Sequence, residues 1–121
     1  MPRHHHVNLG VPTGGIAAQI EFLDQVMGYR RIDVGPAMDA MGVVWFEGDD
    51  GCQIHLSEDP DHRAPKRAHV AVTYADDELD AVRQRLAAAG ITARSIDGVG
   101  IRTFLVIEDP SGNRWEIRSV D

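Results

Sequence analysis

Four residues of this chain, His6, His55, His69 and Glu116, have the donor types and spacing to hold a divalent metal ion. Imidazole nitrogens and carboxylate oxygens are standard ligands for Zn²⁺, Ni²⁺, Mn²⁺, Fe²⁺ and Co²⁺. His6, His69 and Glu116 would supply two imidazoles and one carboxylate, the facial set that leaves positions open to water or substrate. His55 is expected as a fourth ligand or as the catalytic base beside the ion. Singly, each has a plainer reading: a hydrogen-bonded strand histidine, or a solvated strand glutamate. Their claim to chemistry rests on where they fall in a sequence that reads twice.

His6-Val-Asn-Leu-Gly-Val11 and His69-Val-Ala-Val-Thr-Tyr74 both predict short strands and begin 63 residues apart. Each precedes a helix candidate. In the first half, Ile16, Ile20, Leu23 and Met27 recur at helical spacing after Gly14-Gly15, and Gly28 stands as the C-cap. In the second, Asp76 or Asp77 is the expected N-cap, Leu79, Val82, Leu86 and Ala89 form the stripe, and Gly90 closes it. Each half ends in a hairpin. Residues 43–47 and 51–56 match 103–108 and 112–117, with turn chemistry in Asp49-Asp50-Gly51 and Asp109-Pro110-Ser111-Gly112. Glu47 and Glu108, Gly51 and Gly112, and His55 and Glu116 all lie 61 residues apart. Residues 30–38 and 92–97 are expected to supply the remaining strands, and the polar stretch 58–67, with two prolines, a linker.

The expected class is therefore α+β. Two βαβββ modules, 4–58 and 67–120, stand in pseudo-twofold arrangement as a cup-shaped mixed sheet within one domain, 1–121. The symmetry makes His6 equivalent to His69 and His55 to Glu116. Strand alternation puts Gln53 on the face of His55, and Cys52 with Ile54 and Leu56 on the other, as a small core residue. It puts Glu116 with Arg114, opposite Trp115 and Ile117, and His4 on the face of His6. Trp45, Phe46, Phe104 and Trp115 could wall a ligand cavity, although core packing is the commoner use of such residues. His62, Arg63, Lys66 and Arg67 could attract an anionic substrate, with a solvated linker as the simpler account.

Composition narrows the partners. Apolar residues make up 43% and charged residues 26%, ordinary for a globular chain, and 12 basic against 19 acidic residues give a formal charge of −7. That balance argues against nucleic acid or an anionic membrane as the main partner, since both need basic surface. Cys52 is the single cysteine, so no intramolecular disulfide can form, which fits a reducing compartment. The start lacks the apolar run of a signal peptide and no stretch approaches a membrane span. A cytoplasmic protein with a small-molecule partner is the expectation.

Taken together, His6–Val11, the helix end at Met27-Gly28-Tyr29, Ala68–Ala71 and above all Asp109-Pro-Ser-Gly-Asn-Arg-Trp-Glu-Ile117 resemble the vicinal oxygen chelate superfamily. That superfamily groups glyoxalase I, fosfomycin-resistance proteins, methylmalonyl-CoA epimerase, extradiol dioxygenases and bleomycin-resistance binding proteins. The resemblance covers nearly the whole chain, and the last segment matches a DPxGN-x-x-E ending. It implies paired βαβββ modules around a divalent metal, and frequent homodimers whose site can draw on both subunits. The family's ligands fall on His6, His69 and Glu116, with an optional one on His55. Glyoxalase I carries glutamate where this chain has His55. The segment Ser95–Ile101 lacks the tyrosine of fosfomycin-resistance loops, and extradiol dioxygenases are normally larger. The resemblance thus implies a metal-dependent isomerase or lyase, in which the metal acts as Lewis acid on a small substrate. The alternative is a non-catalytic antibiotic- or metabolite-binding protein of the bleomycin-resistance type.

Overall fold

The computed structural model describes residues 1–98 and 100–120. The undescribed residues are Val99, within the Ser95–Ile101 segment that bears on the family branch, and Asp121. The chain divides into two compact units, Met1–Arg63 and Ala64–Asp121. The first contains β1 (His6–Val11), α1 (Ile16–Glu21), β2 (Arg30–Ile32), α2 (Pro36–Ala40), β3 (Val44–Glu47) and β4 (Gln53–Glu58). The second contains β5 (His69–Tyr74), α3 (Asp76–Ala88), β6 (Arg94–Gly98), β7 (Ile101–Glu108) and β8 (Arg114–Ser119). Each unit holds one four-stranded mixed sheet, ordered β1-β4-β3-β2 and β5-β8-β7-β6, with its first and last strands parallel and the other pairings antiparallel. Two βαβββ units of α+β class are thus what the sequence forms.

In the first unit Val11, Val44, Phe46, Ile54 and Leu56 are buried, together with Phe22, Leu23, Val26 and Met27 of the helical segment. The helix departs from its expected stripe. After α1 the chain continues as a π-helical turn over Phe22–Met27, closed by Gly28 at φ 86° with its N–H on the Leu23 carbonyl. A π turn holds more residues than an α turn, so it changes the phase of the buried face. Gln19, Phe22, Leu23, Val26 and Met27 go inside, while Ile16 and Ile20 stay half-buried. The expected strand over 30–38 is also cut short. Gly35 has φ 86° and Pro36 starts α2, and a proline that cannot donate to a ladder suits the first turn of a helix.

The second core buries Val82, Leu86, Leu105, Ile107, Trp115 and Ile117. Ala75, not Asp76 or Asp77, is the N-cap, and it makes no side-chain cap bond. The acidic run therefore fills the first turn, where carboxylates meet the positive end of the helix dipole. Ala89 is the exposed C-cap rather than part of the stripe. The closing strands also start and end two residues later than expected, so Glu58 belongs to β4, and its Oε1 accepts the Gly14 N–H at 2.6 Å. No helix among the described residues is long and apolar enough to cross a membrane.

Candidate metal centre

In the first unit the parallel β1–β4 pair sets His6 opposite Gln53 and Asn8 opposite His55, and the β3–β4 pair sets Trp45 opposite His55. Cross-strand partners share a face, so these side chains stand on the side away from Phe46, Ile54 and Leu56. His55 is only 8% exposed because flat rings cover it on both sides. The His6 ring stacks at 4.0 Å and 14°, and the Trp45 ring at 4.0 Å and 4°. Its Nε2 lies 2.8 Å from Gln53 Oε1. An amide oxygen only accepts, so in this arrangement Nε2 carries the proton and Nδ1 keeps the lone pair. Burial pushes the His55 imidazole below its ordinary pKa, and the charges of His6 and His5 act in the same direction. A neutral ring results, which both a ligand and a general base require.

His6 itself is exposed, with its Nδ1 2.9 Å from Nδ1 of His5. Alternation had placed His4 rather than His5 beside it. The strand begins at His6, however, so the pleat does not extend back to either residue. Instead the His4 carbonyl lies 3.7 Å from Cys52 Sγ. Cys52 precedes β4 and is half-buried rather than a core residue; desolvation first, then Asp50, raise its thiol pKa.

The second unit builds the other pair. His69 lies opposite Arg114, Ala71 opposite Glu116 and Thr73 opposite Arg118 along the parallel β5–β8 ladder. His69 Nδ1 is 2.8 Å from the Arg67 carbonyl oxygen, a pure acceptor, so that nitrogen carries the proton. The remaining nitrogen, Nε2, faces Glu116 Oε1 at 3.1 Å. A lone pair facing a carboxylate oxygen so closely requires a proton or a metal cation to join them, and this donor chemistry fits a divalent ion. The other carboxylate oxygen, Oε2, accepts from Arg118 Nε at 3.0 Å and Nη2 at 2.9 Å. The Arg118 guanidinium rests on the Phe104 ring, 3.9 Å from its centroid.

Among the described residues no three His, Cys, Asp or Glu side chains gather into one metal-ready cluster. The ligand-type side chains come in pairs, His6 with His55 and His69 with Glu116. The four aromatic wall candidates divide. Phe46 and Trp115 are fully buried in the two cores, while Trp45 covers His55 and Phe104 supports Arg118. Of the basic cluster, Arg63, Lys66 and Arg67 are exposed, but His62 is half-buried, its ring lying against Gly10. Sequence reading missed Arg118, whose signal was its position two residues beyond Glu116 on one strand face, and gave Gln53 a face but no role.

A family model described as Glyoxalase/Bleomycin resistance protein/Dioxygenase superfamily matches residues 3–117. No curated protein matches the sequence. Among solved structures, a glyoxalase-family protein from Bacillus anthracis superimposes with a TM-score of 0.82 at 24% identity, covering 97% of this chain and 93% of its own. A glyoxalase/dioxygenase from Nostoc punctiforme gives 0.77 at 24% identity over 97% and 90%. The E126Q mutant of the fosfomycin resistance protein FosX from Listeria monocytogenes, complexed with Mn(II) and 1S,2S-dihydroxypropylphosphonic acid, gives 0.75 at 18% identity over 96% and 87%. At these identities the likeness is one of fold.

Proposed function

The chain belongs to the Glyoxalase/Bleomycin resistance protein/Dioxygenase superfamily, and on that premise we propose that it is a divalent-metal-dependent enzyme for a small molecule, of isomerase or lyase type. The observation that carries this reading is the His69–Glu116 pair. One imidazole nitrogen is committed to a backbone carbonyl and the other is aimed at a carboxylate oxygen. His6, His69 and Glu116 would hold the ion, which could be Zn²⁺, Ni²⁺, Mn²⁺, Fe²⁺ or Co²⁺. When bound, it would supply Lewis-acid polarisation of vicinal oxygens on the substrate. The complex of the FosX E126Q mutant with Mn(II) and 1S,2S-dihydroxypropylphosphonic acid supports this choice of chemistry by likeness.

His55 is assigned the proton. Its Nδ1 lone pair accepts a proton from substrate carbon or oxygen, while Trp45 and His6 fix the ring plane and Gln53 fixes the tautomer. Ligation through Nε2 would need the Gln53 amide to turn, so His55 serves as base first and fourth ligand second. The assembly is proposed to be a cytoplasmic homodimer.

The test is the metal content of protein purified without chelators, measured by plasma mass spectrometry beside His69→Ala and Glu116→Ala. About one equivalent per chain in the parent and a loss in both variants is expected. Unchanged stoichiometry in Glu116→Ala rejects the ligand assignment. Metal-free protein that takes up none of these ions, yet shows ligand-dependent tryptophan quenching without turnover, establishes the non-catalytic binding protein instead.

A further inference from the structure

The strand that carries Glu116 also carries an arginine two residues to each side, and all three share one face. Arg114, Glu116 and Arg118 alternate with the buried Trp115 and Ile117, so their side chains stand opposite the core. Arg118 is held side-on against Glu116 Oε2 and backed by Phe104, which fixes its fork. Its side chain is still 41% exposed. Arg114 is half-buried and lies opposite Glu108 on β7 and His69 on β5, yet among the described residues it forms no ion pair with a carboxylate. The neighbouring strand leaves room above them, since Ala71 and Thr73 are the small residues opposite Glu116 and Arg118.

One strand face with two arginines and a single carboxylate runs against the −7 charge of the whole chain. A half-buried arginine without a counter-ion is also costly unless something anionic meets it in use. Guanidinium is the group suited to planar or tetrahedral oxyanions, because its N–H donors match two oxygens at once.

We propose that Arg114 and Arg118 form an oxyanion-binding subsite beside Glu116, so that the substrate of this centre carries a carboxylate or a phosphonate-type group. The inference rests on reading this face as the functional site and adds the class of molecule that it takes. Arg118 contributes a pre-oriented donor edge. Arg114 contributes a charge that meets no carboxylate among the described residues. Together they would turn the anionic end of the substrate toward β8 and leave its other oxygens for the metal.

The experiment titrates the full-length protein calorimetrically with methylphosphonate and, separately, with acetate. The parent is compared with Arg114→Gln, Arg114→Lys, Arg118→Gln and His69→Ala, each checked for folding by circular dichroism. Binding of methylphosphonate alone assigns a phosphonate- or phosphate-type group, and binding of acetate alone a carboxylate. Arg114→Gln and Arg118→Gln are each expected to weaken binding about tenfold or more, with Arg114→Lys recovering part of the loss. No binding of either probe to the parent, or equal binding by parent and folded Arg114→Gln, overturns the proposal. His69→Ala separates the two readings. Oxyanion binding kept in that variant upholds the subsite whether or not the protein binds metal. If metal binds normally while neither oxyanion does, the subsite falls and the metal centre stands.

Discussion

The ladder positions that hold His55 in the first unit and Glu116 in the second are equivalent, but their neighbours differ. His55 sits between Asn8 and Trp45, whereas Glu116 sits between Ala71 and Val106. The imidazole is flat and tolerates burial when neutral, so it is packed between His6 and Trp45 and kept uncharged. A carboxylate cannot be treated that way. It needs partners for both oxygens: Arg118 holds Oε2, Oε1 faces His69 Nε2 at 3.1 Å, and Ala71 beside it is small enough to leave the group reachable. The same backbone register thus supports a stacked, neutral imidazole in one unit and a hydrogen-bonded carboxylate in the other. The scaffold tolerates the divergence because both faces lie away from their cores.

The closing turns sharpen the comparison and give the largest expected effect. In the second unit the buried Asp109 accepts the Ser111 and Asn113 N–H groups, each at 2.9 Å, and the Trp115 indole N–H at 3.0 Å. Its counterpart, Gly48, has no side chain. The first turn closes through backbone bonds and the exposed Asp50, which accepts the Cys52 N–H. Asp109→Ala is therefore expected to cost about 3 kcal/mol in denaturant unfolding, because buried N–H donors lose their acceptor. Asp50→Ala should cost below about 1 kcal/mol, as one exposed side-chain bond does. Equal costs would break the comparison.

A smaller effect is expected where Tyr74 stands in the place of the buried Val11. Burial raises the phenol's pKa to about 12, from its ordinary 10.0, against the opposing pull of Arg85. The folded state therefore keeps its proton after the unfolded chain has lost it. Stability from this group is present below pH 10.0 and falls as pH rises from 10.0 to about 12. Tyr74→Phe should flatten that part of the stability curve, and an unchanged slope would show the phenol to be as accessible as in the unfolded chain. A modest effect is also expected at Gly10, whose counterpart is Thr73. An added methyl at Gly10 would stand 2.8 Å from His62 Nδ1. Gly10→Ala is expected to cost below about 1.5 kcal/mol, with His62→Ala recovering most of it. A loss that persists in the double variant would place the constraint in the backbone.

Much of the architecture was legible because it was written twice. A strand, a helix and a hairpin recur in order, with matching glycines such as Gly51 and Gly112, at φ 82° and 81°. Element ends were less legible. The π turn at Phe22–Met27 depends on hydrogen bonds that no spacing of apolar residues specifies, and α2 interrupted an expected strand at Gly35-Pro36. The candidate site was visible as His6, His55, His69 and Glu116, but their surroundings were not. Trp45 and Phe46 are adjacent aromatics with similar composition signals, yet one covers an imidazole and the other is fully buried.

The sequence by itself determined the two-unit βαβββ plan and the donor types, because periodicity and turn chemistry are local properties that repeat whatever the partners are. Tertiary structure alone decided which nitrogen of His55 and of His69 carries the proton. That choice depends on Gln53 Oε1 beside His55 and the Arg67 carbonyl beside His69, contacts set by strand register and loop path. It also decided that Arg118 would grip Glu116 over Phe104, since these residues meet only when β7 and β8 pair. Residue type fixes which groups can donate, accept or titrate; the fold fixes the partner each one finds.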